Sequence, residues 1–493
     1  MTLRDLLHGI TAEPVAPVPV AGIACHSKQV RPGDLFVAIH GEVADGHAFI
    51  HEAVARGAAA VIAQRLPIGN GSVPPRACPC VVVRDTRQAL IVMAQRFYGH
   101  PSRKLKLIGV TGTNGKTTTT YLLKTILEAA TARVGLLGTI VYQIGDRTVP
   151  SSNTTPGPLE LQRYFAQMVG EGLQWCAMEV SSHALAQGRI DGLEFEAAIF
   201  TNLGSDHLDY HKTREAYAAA KRRLFDFLRK DGRAVINVDD AYGRVLAETV
   251  SGRSIVTFGM DHPAMVSAAH VQCSWQGTSF VLQSPWGAVP ITTPLLGRHN
   301  VSNITAAAAA LLASGVAPTA VRDGLAELEH VPGRLERIAH DGEANIVVDY
   351  AHTADALRLV LLSLRELTKG RLIVAFGCGG NRDQTKRPVM GRLAALLADH
   401  VVLTSDNPRS EEPLDIIHQI QAGFPPGFAA FEVVPDREPA ITAALSAARR
   451  EDTVLIAGKG HEAYQVFNHV TVPFSDRDVI ERWLSARHSL AVS

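Results

Sequence analysis

A chain of 493 residues is too long for one ordinary hydrophobic core, and at roughly 100 to 200 residues per domain it calls for about three. Its composition, 46% apolar and 19% charged, is that of a globular protein in water. Lysine plus arginine equals aspartate plus glutamate at 48 each, which excludes a global field for nucleic acid or an anionic membrane and leaves charge selectivity to local groups.

The amino terminus lacks the basic start, apolar core and small-residue cleavage site of a secretory signal. The most apolar run, "ITAAAAALLASGVAP", breaks well before the roughly 20 residues a spanning helix needs. A cytoplasmic protein with neither membrane nor nucleic-acid partner is expected. Residues 1–98 carry short strand signals, "GDLFVAI", "AAAVIAQ" and "CVVVRD", with helical stretches between them and an exposed proline- and glycine-rich loop, "RLPIGNGSVPPRACP". Residues 99–330 open with an apolar strand, a glycine turn and a helix whose apolar positions are Leu122, Leu123, Ile126 and Leu127. The buried-strand runs "WCAMEV" and "AAIFTNL" follow, alternating with helices as a parallel sheet requires. Residues 331–493 repeat the pattern with "NIVVDYAH", "RLIVAFGCGG", "HVVLTSDNP", "FEVVPD" and "DTVLIAGKG", each expected to lead into a helix. The fold class is therefore α/β, in three units. The six cysteines are scattered and read as reduced structural thiols.

The densest chemical signal is "GVTGTNGKTTT". Gly112 and Gly115 let the backbone turn so that the N–H groups of Thr113, Asn114 and the helix start, through Thr118, face a phosphate. Lys116 reaches the terminal phosphates, and the Thr117 hydroxyl suits magnesium. Val110 stands where a strict Walker A motif has glycine. Two other strand ends offer ligands, Glu179 in "AMEVSSHAL" and His207 in "TNLGSDHLDYH", and Lys221 follows in "YAAAKRRLF". Thr117 and Glu179 suit a first magnesium ion and His207 a second. Taken singly, His207 and Lys221 read as an ordinary histidine and a solvated helix lysine.

In order along the chain, "GTNGKTTT", "EVSSHAL", "FTNLGSDHLDYH", "GRHNVSN", "VPGRLERI", "DYAHT" and "GCGGNRDQTKRP" resemble the Mur ligases of bacterial cell-wall synthesis. The resemblance extends to "HSKQVRPGDLFVAIHGEVADGH" near the start, so it covers essentially the whole chain. It implies a small N-terminal domain that binds a UDP-sugar, a central phosphate-loop ATPase domain and a C-terminal Rossmann-like domain that binds an amino acid. Within the first domain it implies contacts from Cys25, Ser27 and the Glu42, Val43 and Ala44 turn. The muramoyl dipeptide falls to Asn153, Thr154, Thr155, Ser181, Gln187 and Arg189, and the adenine nucleotide to Asn300, Arg334 and Asp349. Lys221 matches the family's carboxylated lysine, whose CO₂-derived carbamate supplies an oxygen ligand for the second magnesium. That chemistry needs a neutral amine, as burial or nearby cations would give. Lys116, Lys221 and His207 are the implied catalytic set, with ATP and Mg2+ as cofactors.

One loop has no part in phosphate chemistry. "TSDNPRSEEP" follows the strand "ADHVVL" and puts Asp406, Asn407, Pro408 and Arg409 at a carboxyl end, where open α/β sheets bind ligands. The form "DNPR" resembles that of family members adding meso-diaminopimelate to UDP-MurNAc-L-Ala-D-Glu. The far carboxylate of that amino acid fits a guanidinium fork through two parallel hydrogen bonds. Arg387, Gly458 and Glu462 match the remaining acceptor contacts. An L-lysine-adding ligase is the nearest alternative, and Arg409 disfavours it. A folylpolyglutamate synthetase-like ligase is disfavoured by the first domain, and a non-catalytic nucleotide sensor by the metal set. The segment at 377–388 departs from the expected pattern, with Asn381, Gln384 and Thr385 where aspartate, lysine and glycine were expected. A monomer is expected, with the three small-molecule substrates as its partners.

Overall fold

The computed structural model describes residues 1–41, 44–65, 78–204, 206–340, 344–468 and 470–492. Near the amino end, four parallel strands (Gly22–Ala24, Asp34–Val37, Ala60–Ala63, Cys80–Val82) form one sheet in sequence order. The two middle strands are buried along their whole length. The helix Thr86–Phe97 covers one face, with Asp85 capping its first turn.

The central sheet has eleven strands, and the phosphate-loop strand Lys106–Thr111 lies inside it. Ile108 pairs with Ala197 on one side and with Ala177 on the other, both in parallel register. Three strands (Lys106–Thr111, Trp175–Glu179 and Phe195–Phe200) therefore end side by side. The helix Lys116–Ala129 packs behind them, burying Leu122, Leu123, Ile126 and Leu127 as the spacing predicts. The alanine run 306–310 lies wholly buried in the helix Arg298–Ala313, where small side chains let the helix sit close against that neighbour and the sheet.

This sheet is mixed rather than purely parallel. Val266–Ser274, Gly277–Ser284 and Gly287–Thr293 form an antiparallel meander at one edge, and Val141–Ile144 and Arg147–Pro150 form a hairpin at the other. The meander alternates buried with exposed positions, as a sheet with one wet face does. Continuous apolar runs, the signal used to find parallel strands, are absent there.

The last sheet orders Glu336–Arg337, Asn345–Asp349, Thr453–Ala457, Leu372–Phe376, His400–Leu403 and Phe431–Val433, all parallel except the first pair. Four of its strands are followed by helices as expected. After Thr453–Ala457 the chain instead makes a hairpin, Tyr464–Phe467 with Val470–Pro473, before the final helix Asp476–Val492.

Candidate active site

The turn after Thr111 depends on its two glycines. Gly112 has φ 149°, and a Cβ there would lie 1.9 Å from Thr201 Oγ1; Gly115 has φ 87°, and its Cβ would lie 2.3 Å from Asn303 Oδ1. Only glycine fits such close approaches. The neighbouring strand end fixes the loop from outside, since Asn202 accepts from the Asn114 N–H through Oδ1 (2.9 Å) and donates through Nδ2 to the Asn114 carbonyl (3.1 Å). Asn114 and Gly115 are thereby presented to a cavity of about 420 Å3 at the start of the Lys116–Ala129 helix, where N–H groups and the helix dipole favour an anion.

Two lysines converge on this turn. Lys116 Nζ donates to the carbonyls of Gly112 and Thr113, each at 2.9 Å, and Lys221 Nζ donates to the same Gly112 carbonyl at 2.7 Å. Lys221 is 1% exposed, far from the solvated helix lysine its sequence context suggests. Burial, reinforced by Lys116, pushes its pKa well below the ordinary lysine value. Its Nζ lies 4.3 Å from the centre of the Tyr217 ring.

Glu179 closes the opposite wall. It is buried and accepts from the Thr139 N–H (2.8 Å) and Oγ1 (3.0 Å). A buried carboxylate and the Thr117 hydroxyl lining one cavity are hard oxygen donors of the kind that fits magnesium. No three His, Cys, Asp or Glu side chains gather into a full ligand set among the described residues, so phosphates and water would complete the shell. His207 borders the same cavity with a left-handed backbone (φ 54°), its ring 4.7 Å from that of His183. Burial lowers its pKa to about 4, leaving it neutral and able to donate an electron pair.

The last sheet supplies the facing wall. Arg334 donates to Thr117 Oγ1 at 3.1 Å across 217 positions of sequence and stacks on Tyr350 at 4.4 Å. Asp349 accepts from the N–H groups of Leu335 (2.6 Å) and Ala351 (2.7 Å), and burial raises its pKa to about 6. Asn300 lies buried on the same cavity, donating to the Leu296 carbonyl.

Thr154 and Ser181 also reach this cavity. Thr155 donates to the Glu179 carbonyl and accepts from the Ser181 N–H, while Arg189 holds the Thr155 carbonyl and Gln187 Oε1. The backbone N–H of Asn153 donates to the Tyr142 hydroxyl. These expected dipeptide contacts form one connected edge beside the phosphate turn. Cys25 and Ser27 lie outside the cavity, in the first sheet's unit: Ser27 donates to Glu52 at 2.7 Å, and burial pushes the Cys25 thiol up to about 12. Ala44 accepts from the Gly41 N–H. Glu42 and Val43 lie outside the described residues.

The 404–409 loop is a separate cluster. Asp406, Asn407 and Pro408 are buried, and Arg409 is half-buried with φ 54°. Asn407 is the hub: it donates to Glu462 (2.9 Å) and accepts from Lys459 (3.2 Å) and the Val466 N–H (3.1 Å). Arg409 is gripped by the missed hairpin, donating its N–H to the Val466 carbonyl and accepting from the Asn468 N–H. Its Nη1 donates to the Gly380 carbonyl at 2.6 Å, leaving most of the fork for a ligand. Gly458 must lack a side chain, because a Cβ would meet Asp406 Oδ2 at 2.7 Å. Arg387 is fully buried and pairs through both terminal nitrogens with Glu411, at 2.8 and 3.0 Å, so it braces this loop from behind. Glu411 in turn takes the Asn381 N–H, and the Asn381 side chain accepts from Ser410. Asparagine tolerates the left-handed conformation found at 381 (φ 52°), which accounts for its presence. Gln384 approaches Glu411 at 3.5 Å, and Thr385 bonds to Asp383.

Sequence reasoning missed Asn202, Tyr217, Tyr350, Lys459 and Glu411. The clue at Lys459 was a lysine between glycines directly after a buried strand, "AGKGHE".

Models of the Mur ligase family catalytic domain, middle domain and glutamate ligase domain match residues 19–98, 110–311 and 333–460. A UDP-N-acetylmuramoyl-L-alanyl-D-glutamate--2,6-diaminopimelate ligase of Geobacillus kaustophilus is 44% identical over 97% of this chain and 98% of its own. A solved structure of an enzyme of that name is 35% identical, with TM-score 0.69 over 99% of both chains. Folylpolyglutamate synthase of Mycobacterium tuberculosis, at 20% identity and TM-score 0.62, covers 76% of this chain and shares the fold alone.

Proposed function

Because the chain belongs to the Mur ligase family, we propose that it is an ATP-dependent ligase of peptidoglycan precursor synthesis, joining meso-diaminopimelate to UDP-MurNAc-L-Ala-D-Glu. The observation that carries this reading is the meeting of two strand-end systems in one cavity, Lys116, Thr117 and Glu179 from one sheet with Arg334 and Asp349 from the other. Residues 1–98 would hold the UDP-sugar, 99–330 the nucleotide and 331–493 the acceptor.

The D-glutamyl side-chain carboxylate attacks the terminal phosphorus of ATP, giving an acyl phosphate and ADP. The acceptor amine then attacks the acyl carbon, and phosphate leaves with the former carboxylate oxygen. Two anions must meet in the first step, so the protein's task is charge screening and alignment. Lys116 and the N–H groups of the turn take the phosphates, while Asn300, Arg334 and Asp349 hold the nucleotide. Thr117 and Glu179 would hold one magnesium ion and His207 would serve a second, and these ions would screen the phosphate and carboxylate charges. Burial, reinforced by Lys116, lowers the pKa of Lys221 and so favours the neutral amine that a CO₂-derived carbamate would require.

At the acceptor end, Arg409 takes the distant carboxylate, Glu462 an ammonium group, and Asp406, Asn407 and Gly458 shape the pocket. Arg387 keeps the loop in place through Glu411. A monomer is proposed. No helix among the described residues is long and apolar enough to cross a membrane; with ATP and a nucleotide sugar as substrates, the cytoplasm is the proposed location.

Phosphate release tests the reading. It is expected only when UDP-MurNAc-L-Ala-D-Glu and meso-diaminopimelate are both present, with L-lysine a poor substitute. Release that needs neither would refute it.

A further inference from the structure

Between the nucleotide cavity and the acceptor loop stands one side chain that touches both systems. The ring of Tyr350 carries the Arg334 guanidinium at 4.4 Å, and Arg334 donates to Thr117 Oγ1 at 3.1 Å. Its hydroxyl points the other way and donates to Glu462 Oε1 at 3.4 Å. The second oxygen of Glu462 is already taken by Asn407 (2.9 Å) and Lys459 (3.0 Å). Tyr350 thus supplies the donor on the remaining oxygen.

The ring has little freedom. His352 and His461 pack against it at 4.6 and 5.1 Å, the backbone N–H of Tyr350 donates to the Gly333 carbonyl, and a Cβ on Gly460 would lie 2.8 Å from Tyr350 Cβ. Its phenol stays protonated and so remains a donor, because burial, and next the Glu462 carboxylate, push its pKa up.

We propose that Tyr350 is a positioning residue serving two sites at once, its ring placing Arg334 for the nucleotide and its hydroxyl orienting Glu462 for the ammonium group of the acceptor. The inference rests on the ligase reading above and extends it to a residue that borders the nucleotide cavity and reaches the acceptor cluster through its hydroxyl. The two roles separate chemically. Phenylalanine keeps the stacking face and loses the hydroxyl; leucine loses both.

The test combines steady-state kinetics with calorimetric titration of ADP, the latter independent of turnover. In Tyr350→Phe, KM for meso-diaminopimelate should rise about three- to tenfold, the scale of one ordinary hydrogen bond, since 3.4 Å is a long contact for a charge-assisted one. Its Kd for ADP and its kcat should stay within about twofold. In Tyr350→Leu both the acceptor KM and the Kd for ADP should rise, and thermal melts of both variants check folding. Glu462→Gln combined with Tyr350→Phe should raise the acceptor KM by less than the product of the single effects, because both act on one bond. An unchanged acceptor KM in Tyr350→Phe, or an ADP affinity in Tyr350→Leu equal to that of the Phe variant, would overturn the proposal. Absence of acceptor-dependent phosphate release in the wild type would instead sink the ligase reading, leaving the ADP titration to judge the ring.

Discussion

Lys116 and Lys221 share one carbonyl acceptor, that of Gly112, yet their environments give them different work. Both line the cavity, Lys116 at the start of the helix after the phosphate turn and Lys221 almost wholly buried on the wall beside Tyr217. Removing a preorganised donor from a site of developing charge costs about 100- to 1000-fold in turnover. Lys116→Ala should lose kcat on that scale while keeping its circular dichroism spectrum, and near-normal turnover would contradict the phosphate role. Arg409 acts on selectivity rather than on chemistry. Losing one partner of a buried charge pair costs about 2 to 5 kcal/mol, and half-exposure puts Arg409 at the lower end. Arg409→Ala should therefore lower kcat/KM for meso-diaminopimelate by about 30-fold and leave that for L-lysine nearly unchanged, as competition kinetics would report. Lys116 and Thr117 were legible because one turn presents them in succession. Asn202 and Tyr350 were not, because folding alone brings them to their partners. Arg387 was assigned to the acceptor by resemblance, and its pairing with Glu411 became visible only in three dimensions.

Among the elements, the phosphate turn shows how local sequence and tertiary packing combine. Its glycines permit the turn, and the ends of the Phe195–Phe200 strand and the Arg298–Ala313 helix leave no room for anything larger. Gly112→Ala combines an unfavourable φ with a Cβ 1.9 Å from Thr201 Oγ1, so a loss of at least about 1 to 3 kcal/mol is expected. Denaturant melts would measure it, and ADP binding should weaken in parallel. Strands buried on both faces, such as Leu372–Phe376, were readable as continuous apolar runs. The meander at 266–293 was not, because alternating positions resemble a loop when only such runs are sought. The hairpin at 464–473 escaped for the same reason: its strands are largely exposed, and it exists to hold Arg409 and Asn407.

At the scale of the molecule, three α/β units were legible from the repeated alternation of strand and helix. Their meeting was not, since no spacing rule predicts that Arg334 will bond to a threonine 217 positions away. That junction also gives stability a pH dependence. His299 lines the cavity, and burial lowers its pKa from 6.5 to about 4. A histidine whose folded-state pKa is depressed is protonated first in the unfolded chain, so its contribution is full above about pH 6.5 and is lost as pH falls towards about 4. Tm should drop on acidification from pH 7 to 5, with a smaller drop in His299→Gln; equal slopes would contradict the assignment. The central claim, that ATP activates a substrate carboxylate for capture by the acceptor amine, is tested most directly by isotope transfer. With 18O in the D-glutamyl side-chain carboxylate, one labelled oxygen per turnover should appear in the released phosphate. Label-free phosphate, or label carried into AMP, would contradict it.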